Sequence, residues 1–322
     1  MSFYLTFAEV CEPNSYPLFA VQMRQPWHNC DETHLALPKE TGCGRMRPFS
    51  PPHLMASNAT AFLGASTLLG RYWTKRRHFD YLIDKETLHH TFGHSFRTIV
   101  FLDPAIAEGP VCARKQIEED TTNVTHLLHH LADIKPEFTI YVTTCDMLPE
   151  DADENTPALT QSDDPFVQNR INLYNGVNHQ YGRVLNVHLP ELVSPEATGY
   201  SLLMDTLIAP PAGKKKLPLA PQEMHQLYFA QRIMGDVERC MPLGISSIIP
   251  AMPPLTTLEI VQALAPELEE RLPAYAPEQP KGSRRSSIHS FQWLDPKDGY
   301  LVTKDDQLAL LNFFFQSFCG RK

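Results

Sequence analysis

Short apolar runs alternate with amphipathic stretches through the middle of the chain. Runs whose length and β-branched content suit strands buried on both faces of a sheet lie at 59–63, 79–83, 97–102, 138–143 and 183–189. Apolar positions three to four residues apart predict helices between them, at 68–78, 116–134 and 166–181. This alternation predicts an α/β fold with a doubly wound parallel sheet, whose ligands bind at the carboxyl ends of the strands.

Beyond Pro190 the pattern loosens into a smaller region. It predicts helices at 202–208, 221–239, 256–265 and 305–318, and one strand at 245–249. The first 57 residues lack the alternation, and their prolines predict a loop-rich extension. The sequence therefore predicts an N-terminal extension over 1–57, a nucleotide-binding type of domain over 58–195, and a region over 196–322 that is interleaved with that domain.

The stretch from Asn58 to Gly70 joins the first predicted strand to the first predicted helix. Gly64 follows the strand directly, small residues come next, and Gly70 lies inside the helix. This layout is typical of a dinucleotide-binding turn, in which backbone approaches a diphosphate at a helix N-terminus. Thr67 stands where the usual pattern has its middle glycine, so two glycines carry the match. The candidate contacts in this turn are Gly64, Ser66, Thr67 and Gly70.

Composition narrows the classes of function. The net charge of −9 argues against a nucleic-acid binder, because phosphate surfaces favour clustered Lys and Arg. No apolar run approaches the roughly 20 residues that a membrane span needs. Seven scattered cysteines indicate reduced thiols rather than a disulfide framework, and the N-terminus lacks the basic start of a secretory signal. We therefore predict a cytoplasmic protein without a membrane span.

The N-terminal extension contains His28, Cys30, His34 and Cys43, which are potential zinc ligands. A zinc site normally has closely paired ligands in both halves, and the second half here offers Cys43 alone. We therefore predict no metal site. The extension is instead expected to pack across the main domain or onto a partner, in a homo-oligomer or a protein complex.

Four ordered segments together resemble the extended short-chain dehydrogenase/reductase superfamily, in its NAD-dependent epimerase/dehydratase branch. The segments are 62–70, 142–147, 182–195 and 299–304. The resemblance covers the chain from about Ala59 to the last helix and leaves the extension unexplained. It implies a Rossmann-like fold with a smaller C-terminal substrate region, a bound NAD or NADP, and a sugar or small carbonyl compound as the second ligand.

The same resemblance implies a Tyr and a Lys four residues apart on the helix after the acidic loop. Phe166 and Arg170 occupy those positions in this chain. Phenylalanine has no ionisable proton, and arginine can hold a ribose or a phosphate but cannot tune an absent phenol. Thr144 matches the Ser/Thr position that orients the substrate oxygen. Asp146, two residues later, is the candidate proton carrier if catalysis survives.

Asp84 follows the second strand, where the resemblance implies an acid that binds the ribose hydroxyls. Lys85 and the Arg76–Arg77 pair favour a 2′-phosphate equally well, so the choice between NAD and NADP stays open.

Three functional hypotheses follow from these residues. The first is a dehydrogenase-like pseudoenzyme that binds NAD(P), has lost the Tyr/Lys chemistry, and acts as a binding or structural module. The second is an active NAD(P)-dependent reductase or epimerase that uses Thr144 and Asp146. The third is an interaction subunit that binds no nucleotide. Fold alone does not decide among them, because function depends on the site.

Overall fold

The computed structural model describes residues 59–149, 152–194, 200–274 and 300–319. All of them belong to the larger of two units into which the chain divides, Pro52–Lys322. The predicted extension and its four metal-ligand types lie outside the described residues. No helix in the described part of the chain is long and apolar enough to cross a membrane.

The described strands and helices follow the predicted alternation. The strands are β1 (Thr60–Leu63), β2 (Tyr81–Ile83), β3 (Ser95–Leu102), β4 (Lys135–Thr144), β5 (Val184–Leu189), β6 (Glu191–Val193), β7 (Met224–His225), β8 (Leu227–Phe229), β9 (Ser247–Ile248) and β10 (Leu255–Thr256). The helices are α1 (Leu68–Thr74), α2 (Pro104–Glu108), α3 (Pro110–Lys115), α4 (Ile117–His130), α5 (Pro165–Gln180), α6 (Leu202–Ile208), α7 (Ile233–Cys240), α8 (Thr257–Leu264) and α9 (Lys304–Cys319).

Six parallel strands form the central sheet, in the order β2-β1-β3-β4-β5-β9. The chain leaves β1 towards β2 and then crosses over to β3 on the other side of β1. The carboxyl ends of β1 and β3 therefore flank the point where the strand order reverses, which is where open parallel sheets bind ligands. The predicted Rossmann-like, doubly wound parallel sheet is confirmed.

Alternate residues of each strand point to opposite sides of this sheet, and both sets are apolar. Helices therefore cover both faces. On one face, Phe62 and Val100 belong to a core that also holds α1, α7 and α8 side chains. On the other face, Ala61 and Ile99 pack in a core formed with α4 and α5. The first core includes Ile233 of α7, so the region after residue 195 shares its core with the sheet.

The predicted helix over 221–239 is wrong in its first half. Residues 224–229 form β7 and β8, and a helix starts only at Ile233. β8 pairs with β6 and β7 pairs with β10, in two small separate sheets. Partners distant in sequence thus override the local helical spacing, which the segment alone does not reveal. The short elements α2, α3 and β6 were not predicted.

Candidate functional site

The turn after β1 has the backbone that the two glycines predict. Gly64 has a φ of 98°, a left-handed value that favours glycine, and its N–H donates to the carbonyl of Ile83 at 2.8 Å. A Cβ on Gly70 would lie 2.1 Å from the Gly64 carbonyl oxygen and 2.8 Å from that of Ala65. Helix α1 therefore packs directly on the turn, and only glycine fits at position 70.

Thr67 replaces the middle glycine with a helix cap. Its Oγ1 accepts the Gly70 N–H at 3.0 Å and donates to the Gly64 carbonyl at 2.7 Å. The hydroxyl thereby satisfies one N–H group at the start of α1, as an N-cap side chain does. By helix geometry the N–H groups of Leu68 and Leu69 lack an acceptor within the helix. These two groups are the donors of α1 that a diphosphate would meet.

Asp84 lies beside the turn, as predicted, but binds the protein itself. Its Oδ1 accepts the backbone N–H of Ser66 at 2.8 Å. The structure thus joins the predicted ribose acid to one of the predicted phosphate contacts. A ligand that took either group would have to replace this hydrogen bond.

Arg170 lies in a buried ion-pair cluster. Its guanidinium binds Asp103, at the end of β3, and Asp120 of α4, the latter at 2.6 Å between Nη2 and Oδ1. The side chains of Arg170 and Asp103 are 0% exposed and that of Asp120 is 1% exposed. This corrects the predicted ligand contact, because a ribose or phosphate reaches this guanidinium only if the cluster opens.

Neutral donors satisfy the remaining carboxylate oxygens of the cluster. Tyr141 and Thr143 donate to Asp103 Oδ2 at 2.6 and 2.8 Å, and Asn169 donates to Asp120 Oδ2 at 2.7 Å. Burial raises the pKa of Asp120, and it raises the pKa of Tyr141 well above its ordinary value, with the Asp103 charge adding to the second shift. Tyr141 is therefore a neutral donor rather than a phenolate base.

Phe166 occupies the predicted tyrosine position, and its ring lies between the guanidinium groups of two arginines. The ring is 1% exposed and packs with Ala105 and Met147. The guanidinium carbons of Arg114 and Arg170 lie 4.0 and 5.1 Å from the ring centre. Such cation–π contacts need an aromatic face and no hydroxyl group. The ring thus supports the ionic cluster and cannot exchange a proton.

Thr144 and Asp146 lie at the carboxyl end of β4, where they were predicted. Thr144 is 2% exposed, and its Oγ1 accepts the Asp146 N–H at 3.4 Å. The Asp146 carboxylate is paired with Arg114 at 2.7 Å, and Arg114 also binds Asp164 at 2.9 Å. Asp146 is therefore held as an ion-pair partner, and a role as proton carrier stays a prediction.

Two titratable side chains near the sheet edge were missed in the sequence. His188 lies opposite Thr143 in the register of β5 and β4, and burial lowers its pKa to about 4. Both carboxyl oxygens of Glu154 are buried, and burial raises the pKa of this side chain to about 7. Glu154 belongs to the acidic loop, but no spacing signal distinguishes it from its acidic neighbours. Only the tertiary surroundings reveal either shift.

A second hydrogen-bonded chain crosses the C-terminal region. His225 Nδ1 contacts Glu191 at 2.9 Å, and His225 Nε2 contacts Thr257 Oγ1 at 2.9 Å. Ser201 donates to the other Glu191 oxygen at 2.5 Å. Burial lowers the pKa of His225, but the Glu191 carboxylate outweighs this effect and the net pKa is raised. These side chains connect β6, β7, α6 and α8, and Thr257 is 0% exposed.

Replacing Arg170 with Met should destabilise the protein by roughly 3–5 kcal/mol, because two buried carboxylates lose their counter-charge. The free energy of unfolding in urea measures this loss. Arg114→Met is the matched control. Its ion pairs are 40% exposed on the arginine side and should cost about 1 kcal/mol or less. Equal losses in the two variants would contradict the importance of the buried cluster.

Replacing Glu154 with Gln should remove a contribution to stability that declines between pH 4.5 and about 7, so the stability of the variant relative to wild type should rise across this range. The folded wild type binds the Glu154 proton more tightly than the unfolded chain does. Its stability contribution is therefore full below pH 4.5 and is lost as the pH rises through about 7. Allowing for partial burial, the loss is about 2 kcal/mol. Unfolding titrations at several pH values, compared between wild type and variant, isolate this effect from the opposite contribution of His188.

No protein-family model and no curated protein matches the sequence. Solved structures do match it, at low identity. RMD from Pseudomonas aeruginosa complexed with NADPH has a TM-score of 0.56 at 12% identity, and the match covers 82% of this chain and 99% of that one. TunA, an NAD-dependent NDP-hexosamine 5,6-dehydratase involved in tunicamycin biosynthesis, has a TM-score of 0.58 at 13% identity, covering 81% and 98%.

A UDP-glucuronic acid 4-epimerase mutant from Bacillus cereus, in complex with NAD and UDP-4-deoxy-4-fluoro-glucuronic acid, also has a TM-score of 0.58. It is 10% identical, and the match covers 82% of this chain and 99% of that chain. These neighbours are dehydratases, epimerases and related NAD(P)-binding proteins of the extended short-chain dehydrogenase/reductase type. The resemblance predicted from the sequence is thereby confirmed at the level of the fold.

Proposed function

We propose that this chain binds a nicotinamide dinucleotide at the turn between β1 and α1 and acts as a binding or structural module without Tyr/Lys proton transfer. A contrast between the turn and helix α5 supports the proposal. The turn keeps the close backbone packing of Gly64 and Gly70, whereas Phe166 and Arg170 have become parts of a closed internal cluster. These observations support our inference that the turn binds a dinucleotide and that Tyr/Lys proton transfer is absent.

The fit of a dinucleotide differs between its two ends. At the diphosphate end, the N–H groups of Leu68 and Leu69 and the start of α1 favour an anion. Near α5, Arg170 is enclosed by Asp103 and Asp120 and does not contribute a ribose contact. A bound nicotinamide would supply hydride transfer, but Phe166 offers no proton to accompany that transfer. The surroundings of the diphosphate and of the nicotinamide therefore both support binding without turnover.

The ligands of the neighbours support a proposal for the class of the second ligand. Solved structures with this fold contain UDP-glucose or UDP-glucuronic acid together with NAD. We propose a nucleoside diphosphate sugar as the small-molecule ligand of this chain, bound beside the dinucleotide. The protein would act in the cytoplasm, either alone or in a complex formed through the N-terminal extension.

Titration of the full chain with NADH and NADPH, followed by nucleotide fluorescence and thermal shift, tests the proposal. Wild type should bind at least one of the two nucleotides. Gly70→Ala should abolish binding, because its Cβ would lie 2.1 Å from the Gly64 carbonyl oxygen. Thr67→Gly should tighten binding by roughly threefold to tenfold, because bare backbone then faces the diphosphate.

Two control variants keep this experiment decisive. Gly235→Ala adds a Cβ that meets nothing within 4 Å, so it should leave binding and stability near wild type. Thr67→Ala removes the cap but keeps a Cβ at the turn, so it should not reproduce the gain of Thr67→Gly. The proposal fails if neither nucleotide stabilises the folded wild type, and the interaction-subunit hypothesis then takes its place.

A second candidate function, proton transfer by an acid of the loop, is favoured by Glu154. A carboxyl group with a pKa of about 7 can accept and donate a proton near neutral pH. Under this alternative, the chain would turn over NAD(P)H with a nucleoside diphosphate sugar, and both Glu154→Gln and Thr144→Ala would lower the rate. Absence of turnover by a nucleotide-bound wild type would remove this candidate.

A further inference from the structure

The last two turns of α4 carry the histidines His126, His129 and His130. His126 and His130 are four residues apart, which places them on the same side of the helix in successive turns. Their ring centres are 4.7 Å apart. Within the described residues no set of three or more His, Cys, Asp or Glu side chains has the arrangement of a metal site. The pair is thus a two-ligand arrangement, and His129 does not complete it.

The ring of His130 is fixed by two neighbours. Its Nδ1 donates to Asp133 Oδ2 at 3.2 Å, and the ring of Phe92 lies with its centre 5.0 Å away. A hydrogen bond at Nδ1 leaves the lone pair on Nε2, and the carboxylate makes that nitrogen a stronger ligand. Histidines that bind metals commonly carry such a carboxylate partner on the other ring nitrogen.

The pair is open to solvent. The His126 side chain is exposed, and the His130 side chain is 30% exposed. His126 can therefore rotate towards a shared ion at little cost, while His130 is already oriented. The nearby Asp133 carboxylate and the net charge of −9 favour a cation at this surface.

We propose that His126 and His130 chelate one divalent transition-metal ion on α4, with Asp133 as the residue that positions His130. Water would fill the remaining coordination positions. Imidazole nitrogens suit Zn²⁺, Cu²⁺ and Ni²⁺, whereas Mg²⁺ prefers oxygen ligands. The site lies on the helix surface, so it does not depend on nucleotide binding at the turn after β1.

Calorimetric titration of the untagged full chain with Ni²⁺ near neutral pH tests the proposal. Nickel is the probe because imidazole suits it, whereas thiolates select Zn²⁺ and Cu(I) and the chain has seven cysteines. The result expected is one ion per chain, with an affinity that falls as the pH drops, because bound imidazoles must be neutral. His126→Ala and His130→Ala should each weaken binding roughly tenfold or more, and Asp133→Asn by about tenfold.

His129→Ala is the matched control, since it removes an exposed histidine from the same helix and should leave the Ni²⁺ affinity unchanged. Mg²⁺ should give no binding heat. The proposal is overturned if Ni²⁺ affinity survives both His126→Ala and His130→Ala, which would place the ion elsewhere in the chain. It is equally overturned if His129→Ala weakens binding as much as they do. Metal-free thermal melting of each variant verifies that it is folded.

Discussion

The guanidinium of Arg170, buried between the carboxylates of Asp103 and Asp120, is the interaction on which the arrangement of this sheet edge depends. Three charges without contact to water are tolerable when each is paired and the remaining lone pairs of the carboxylates are satisfied. The pairs join the residue after β3 to helices α4 and α5, which lie on the same face of the sheet. The cluster thus fixes where the second turn of α5 lies.

The position of α5 also determines which side chains surround Phe166. Phe166 lies one turn before Arg170 and stacks against both Arg170 and Arg114. Arg114 in turn holds Asp146. Phe166, Arg170, Arg114 and Asp146 therefore contact one another in a chain of internal interactions. Because these side chains are paired with one another, the proposed function assigns ligand binding to backbone groups. The turn at Gly64 and Gly70 would provide them.

Helix α4 connects this cluster to the histidine pair. Its N-terminal half carries Asp120, and its last turns carry His126 and His130. Because the Arg170 pair already holds the helix against α5, an ion on the last turns would meet ligands on a fixed scaffold. The carboxylate of Asp133 lies just beyond the helix and completes the arrangement. Helix α4 thus carries one residue of the buried ion-pair cluster and the proposed metal ligands, and no residue belongs to both.

The sequence alone determined the parallel sheet. From β1 to β5, buried strands appear as short apolar runs, and the helices between them have apolar residues every three to four positions. The sequence also identified the turn at Gly64 and Gly70, where the first glycine has a left-handed backbone and the second leaves no room for a Cβ. It could not give the partners of Arg170, which are 67 and 50 residues away in the chain. Nor could it give the strands at 224–229, whose pairing depends on segments elsewhere. Burial, which decides ion pairing and the pKa of Glu154, exists only once the chain has folded.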